Sequence, residues 1–240
     1  MVSIGNFFFK YRNILFIVLY ILLFIPSVPL FSAEKHGDKY YLFPIIIGLV
    51  ITVTGQLIRC LTIALAYIIR GGKDGKVYAE DLVTSGIFGH CRNPLYVGNI
   101  LMLAGVGVLS NSLLYVVVII PLFVFIYQSI VLAEENFLKN EFGDQFIQYC
   151  KRVNRWVPSL SGISTTFSSM HFNWRRYVIK EYNTFFVWLA GITLILLLKY
   201  PEITHGNISF RNTLLIIIIP LLGLGYLFVR YLKKSGKLKA

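Results

Sequence analysis

The chain has 240 residues, 56% of them hydrophobic and only 14% charged, with a formal net charge of +12. Long apolar runs recur, which excludes an ordinary soluble domain and predicts an all-α, polytopic bundle of membrane helices. The basic residues sit between apolar runs, where they set topology and meet anionic lipid, and no nucleic-acid motif accompanies them. Cys60, Cys91 and Cys150 are odd in number and lack paired or metal-ligand spacing, so neither a disulfide framework nor a metal site is expected.

Hydropathy predicts six spans: Ile14 to Phe31, Leu42 to Ile69, Leu95 to Leu109, Leu113 to Ala133, Thr184 to Leu198 and Thr213 to Leu232. The first lacks a small-residue cleavage pattern and reads as a retained helix rather than a signal peptide. The third, at about 1.5 Å per residue, falls short of a roughly 30 Å hydrocarbon core, so the third and fourth spans are expected to form a tight hairpin turning at Ser110, Asn111 and Ser112. With the N-terminus inside, 18 of the 23 Lys and Arg residues fall on the inner side. Lys35, Lys39, Lys199 and Arg211 fall outside, and Arg59 lies within the second span. Both termini are therefore expected in the cytoplasm.

Between the second and third spans, Arg70 to Asp81 is a Gly-rich, charged connection. After the fourth span, Phe137, Leu138, Phe142, Phe146 and Tyr149 recur at three- and four-residue intervals. They predict an amphipathic helix from Glu134 that lies along the membrane and ends before Pro158. Residues 159–169 read as a linker, and His171 to Tyr182 as a second interfacial helix. The expected organisation is a core over 1–158, a linker and interfacial helix over 159–183, and two further spans with a basic tail over 184–240.

Two blocks carry chemistry: Leu82 to Leu101, reading L-V-T-S-G-I-F-G-H-C-R-N-P-L-Y-V-G-N-I-L, and Glu134 to Pro158. Pro94 pushes Asn93 out of helical geometry and starts the third span, leaving free amides and a positive dipole end at the membrane surface. Tyr96 offers an aromatic face one turn in, and Gly98 permits close approach of a helix or a ligand. The hairpin returns Glu134 and Glu135 to the neighbourhood of Arg92 and Asn93, either as ligand-binding carboxylates or as a solvated flank. Arg59, buried by its position, either pairs with a carboxylate or serves function.

The pairing of L-V-T-S-G-I-F-G-H-C-R-N-P-L-Y-V-G with E-E-x-x-L-x-x-x-F-G-x-x-F-x-x-Y-x-x-x-V-N-R-W-V-P about 40 residues on resembles the isoprenylcysteine carboxyl methyltransferase and phospholipid methyltransferase family over Gly55 to Pro158. The resemblance implies an integral membrane enzyme, in a bacterial cytoplasmic membrane, that uses S-adenosylmethionine to methylate a lipid or lipid-linked acceptor. It implies cofactor contacts from Leu82, Val83, Phe88, Asn93, Pro94, Leu95, Tyr96 and Glu134, with Arg92 buttressing the loop and Gly98 beside it. Arg155 would lie near the acceptor or hold the terminal helix against the site, and Arg59, by its depth in the second span rather than by the resemblance, is a candidate for binding the acceptor. Departures from the family pattern are Asn93 for His, Ile87 for Pro, Phe88 for Tyr and Asn154 for Pro. Ile130 stands where the prenylcysteine enzymes carry a substrate-engaging Arg, and the last two spans lack a counterpart in compact members.

Transfer from a sulfonium is an in-line displacement that needs alignment and exclusion of water more than a nucleophile. An amine acceptor would need a base, for which Glu135 is the candidate; a carboxylate needs none. The rival readings are an NADPH-dependent membrane reductase of the sterol-reductase type, whose chains are longer before the shared turn, and a non-catalytic membrane protein that retains the fold.

Overall fold

The computed structural model describes residues 1–65 and 77–239, so most of the Arg70–Asp81 connection and the end of the second span lie outside the described residues. Among the described residues, eight α-helices follow one another: α1 Val2–Ile21, α2 Ala33–His36, α3 Leu42–Leu65, α4 Pro94–Leu109, α5 Ile120–Arg152, α6 Ile163–Ser169, α7 Trp174–Lys199 and α8 Ile208–Lys234. Five of the described segments are long and apolar enough to cross a membrane, namely Val2–Phe24, Leu42–Leu65, Tyr115–Arg152, Trp174–Lys199 and Ile208–Lys234; Pro94–Leu109 is a shorter apolar helix.

The first span begins twelve residues earlier than hydropathy predicts, and Pro26 and Pro29 explain why. Neither proline can continue a helix, so the apolar run to Phe31 is split and the helix forms upstream, taking in Lys10 and Arg12. At the other end of the chain, the expected interfacial helix and fifth span are one unbroken 26-residue helix, α7. Asn173 starts it, its side-chain oxygen accepting the Arg176 amide at 2.9 Å. Where a linker was expected, 163–169 forms α6.

Helices α3 and α4 make the tightest contact, because small residues face each other along it. A Cβ on Gly48, Gly55, Gly98 or Gly105 would lie 2.3–2.8 Å from backbone or side-chain atoms of the opposite helix. Their partner α5 is entered through a π-helical turn at Tyr115–Ile119, and α1 runs antiparallel along it. The hairpin turn is held where expected. Asn111, at φ 52°, accepts the Phe31 amide at 2.9 Å and donates to the Phe31 carbonyl at 2.9 Å.

Most of the apolar stripe after Glu134 packs against the protein itself. Phe142, Phe146, Tyr149 and Val153 pack with Leu82 and Leu138 into a second small core. A non-helical residue, Gly143 (φ 50°, ψ −123°), bends α5 so that this end folds back over the loop before α4. Helix α8 buries none of its residues and packs on α7 through Tyr226, which meets Tyr182 at 5.3 Å and Phe186 at 6.1 Å between ring centroids.

Candidate active site

The two sequence blocks meet through main-chain bonds. Arg92 donates its amide to the Asn154 carbonyl at 2.9 Å, Ser159 donates to the His90 carbonyl at 2.9 Å, and the Asn93 side-chain amide donates to the Arg155 carbonyl at 3.3 Å. The His90 ring spans Ser159 and Thr166 at 2.8 Å each, and the Tyr149 hydroxyl donates to the Phe88 carbonyl at 2.7 Å. A loop of this kind, built from Gly86, Gly89 and Pro94, has few helical bonds of its own, and the 154–159 segment satisfies its exposed groups.

Successive helical residues point about 100° apart, and this separates the paired glutamates. Glu134 faces inward and accepts the Tyr96 hydroxyl at 2.5 Å. Glu135 faces the clamp: Arg155 donates through Nε at 3.0 Å and Nη2 at 2.6 Å, and Arg92 Nη1 approaches at 3.0 Å. That bidentate bond raises the Arg155 pKa above its ordinary value. Both Glu135 oxygens are occupied by guanidinium groups, so the geometry gives it the part of an anchor between the two blocks.

A cavity of about 700 Å³ opens on the inner face of this clamp. Leu82, Val83, Phe88, Arg92, Asn93, Pro94, Leu95, Tyr96 and Glu134 all line it, as does Arg59. Gly98, Glu135 and Arg155 do not. Gly98 sits at the α3–α4 contact, where a Cβ would meet the Gly55 carbonyl at 2.8 Å and the Arg59 stem at 2.6 Å.

About two thirds of the lining was not anticipated from the sequence. Helix α1 contributes Phe9, Arg12, Asn13, Phe16 and Tyr20, and α7 contributes Ile179, Lys180, Asn183 and Thr184, with Lys233 from α8. The α1 residues recur every three or four positions, a helical face that was readable once the helix was known to start at Val2. Arg59 does pair with a carboxylate, that of Glu181 on α7, through Nε at 2.6 Å and Nη2 at 2.7 Å, while Nη1 donates to Asn99.

Residues 43–145 match the family model described as phospholipid methyltransferase. Over that segment the chain is similar to phospholipid methyltransferases, and isoprenylcysteine O-methyltransferases are among the relatives it matches. Among its curated relatives, the cobalt-zinc-cadmium resistance protein CzcN of Cupriavidus metallidurans is 38% identical over 80 residues, 33% of this chain and 37% of that protein. The nickel-cobalt-cadmium resistance protein NccN of Alcaligenes xylosoxydans xylosoxydans is 26% identical over 119 residues, 49% and 53% of the two chains. A probable protein-S-isoprenylcysteine O-methyltransferase of Oryza sativa subsp. indica is 31% identical over 129 residues, 50% of this chain and 64% of that one. The chain thus spans between about a third and two thirds of the length of these relatives. No solved structure matches it significantly. The matched segment runs from α3 to the bend in α5, so α1, α7 and α8 wall the cavity from outside it. The reductase reading draws nothing from these relatives.

Proposed function

We propose that the protein transfers a methyl group from S-adenosylmethionine to an anionic lipid or lipid-linked acceptor at the cytosolic membrane face. The observation that carries this reading is Glu134, a carboxylate on the cavity wall bonded to Tyr96, with the rings of Phe88 and Tyr127 also lining the same space. Carboxylate and aromatic faces favour a sulfonium, and the free amides at the start of α4 favour a polar or anionic group of the same ligand. The volume lies within the range of small-molecule sites. S-adenosylmethionine, when bound, supplies the electrophilic methyl group.

This chain's own residues then bind, orient and exclude water. Tyr96 holds the Glu134 carboxylate in place, and the 86–93 loop, fixed by its bonds to 154–159, presents a rigid wall. Cations from the other elements, Arg12, Lys180 and Lys233, line the same cavity and suit an anionic headgroup. With Glu135 engaged by Arg92 and Arg155, an acceptor that is already deprotonated fits better than an amine awaiting a base. Ile130, where prenylcysteine enzymes carry Arg, is fully buried in the core, so acceptor recognition here rests on other residues.

The test is incubation of the purified protein, in nanodiscs of host lipid, with methyl-labelled S-adenosylmethionine, followed by lipid mass spectrometry. Label in an acidic lipid class supports the reading, and label in an amine headgroup or none at all contradicts it.

A further inference from the structure

The family match ends at residue 145, but the polar network of the cavity continues past it. Arg59 is 3% exposed and its counter-ion Glu181, on α7, is 1% exposed. Three of the five guanidinium N–H donors are used, two on Glu181 and one on Asn99 of α4. Asn99 in turn donates to the Tyr127 hydroxyl on α5 at 2.7 Å, and the Tyr127 ring lies 5.0 Å from Tyr96, the residue bonded to Glu134. One chain of contacts therefore runs from α7 through α3, α4 and α5 to the motif carboxylate.

From this we infer that Glu181 is a positioning residue for the acceptor side of the site, acting through Arg59. The inference rests on the methyltransferase reading above. A guanidinium is a rigid planar fork, so fixing Nε and Nη2 on one carboxylate fixes its plane. Gly98 serves the same arrangement. Its missing side chain leaves room for the Arg59 stem to cross α4, where a Cβ would come within 2.6 Å of Arg59 Cγ.

Packing alone does not account for the pair, since an ion pair at such depth gives little stability over well-fitted apolar residues. Its setting is the cavity, which Arg59 lines. Lys180, Asn183 and Thr184, on the same turns of α7 as Glu181, line it too, so the ion pair also sets where α7 stands as the acceptor wall. Without Glu181, the long Arg59 side chain is free to turn toward Glu134 and occupy the space of the headgroup.

The experiment uses full-length Glu181→Gln, Glu181→Asp and the double variant Arg59→Met with Glu181→Met, in mixed micelles of detergent and total host lipid. S-adenosylhomocysteine affinity is measured by calorimetry, and methyl transfer is measured against lipid content. We expect Glu181→Gln to keep cofactor affinity within about twofold while the half-saturating lipid content rises about tenfold or more. Glu181→Asp should recover most of that loss. The double variant should fold and bind S-adenosylhomocysteine yet keep the tenfold defect. Wild-type lipid dependence in the double variant or in Glu181→Gln would overturn the inference, as would a cofactor defect equal to the lipid defect. A wild-type protein that binds no S-adenosylhomocysteine would instead overturn the methyltransferase reading itself.

Discussion

The two walls of the cavity are held by different means. On the motif side, residues 90–93 are bonded group by group to 154–159, mostly through main-chain atoms, and Glu135 adds a charged clamp onto Arg92 and Arg155. On the other side, α7 is joined to α3 beside the cavity by the buried Arg59–Glu181 ion pair and the Gln56–Tyr177 bond at 2.9 Å, with the Trp188–Thr52 bond at 2.7 Å two turns further along and apolar packing around them. A wall with many bonds tolerates the loss of one. The opposite wall has fewer such bonds at the cavity, and its charged one joins residues 122 positions apart in sequence.

This contrast makes Arg59→Ala the most damaging single change. It removes the bidentate guanidinium that holds the buried Glu181 carboxylate and should lower stability by about 3–5 kcal/mol, read as a fall in detergent melting temperature. A loss no larger than that of an exposed site would remove the contrast. Next comes Glu135→Ala on the motif wall. Arg92 and Arg155 lose a shared acceptor but are only partly buried, so about 1–3 kcal/mol is expected, with the loop still attached through its main-chain bonds. The smallest effect is chemical. Burial pushes the Cys91 thiol above its ordinary pKa, so less thiolate forms at neutral pH, and maleimide should modify Cys91 on the order of tenfold more slowly than Cys150. Equal labelling rates would mean the loop opens readily.

The same contrast explains what was readable in the sequence. Pro94 as a helix start, the turn at Ser110 to Ser112 and the partnership of the two blocks follow from local chemistry and adjacency along a short hairpin. Glu181 left no such trace, because nothing near it in sequence announces a partner on α3. The glutamates differ only by the angle between successive residues of α5: Glu135 has the basic clamp and Glu134 has the cavity. Position along the chain does not reveal which faces which until Arg155 is known to fold back. The start of α1 was missed because summed hydropathy ran past Pro26 and Pro29, hiding Arg12 and its cavity-facing neighbours.

The most direct test is calorimetric titration of S-adenosylhomocysteine into the wild type, Glu134→Ala and Glu135→Ala, each shown to be folded by its melting curve. The wild type should bind, and Glu134→Ala should weaken binding by about tenfold or more, the loss expected when a charged contact in a shielded site is removed. Glu135→Ala should weaken it less. Unchanged affinity in Glu134→Ala, or a larger loss in Glu135→Ala, would contradict the account of Glu134 as the carboxylate that faces the cofactor.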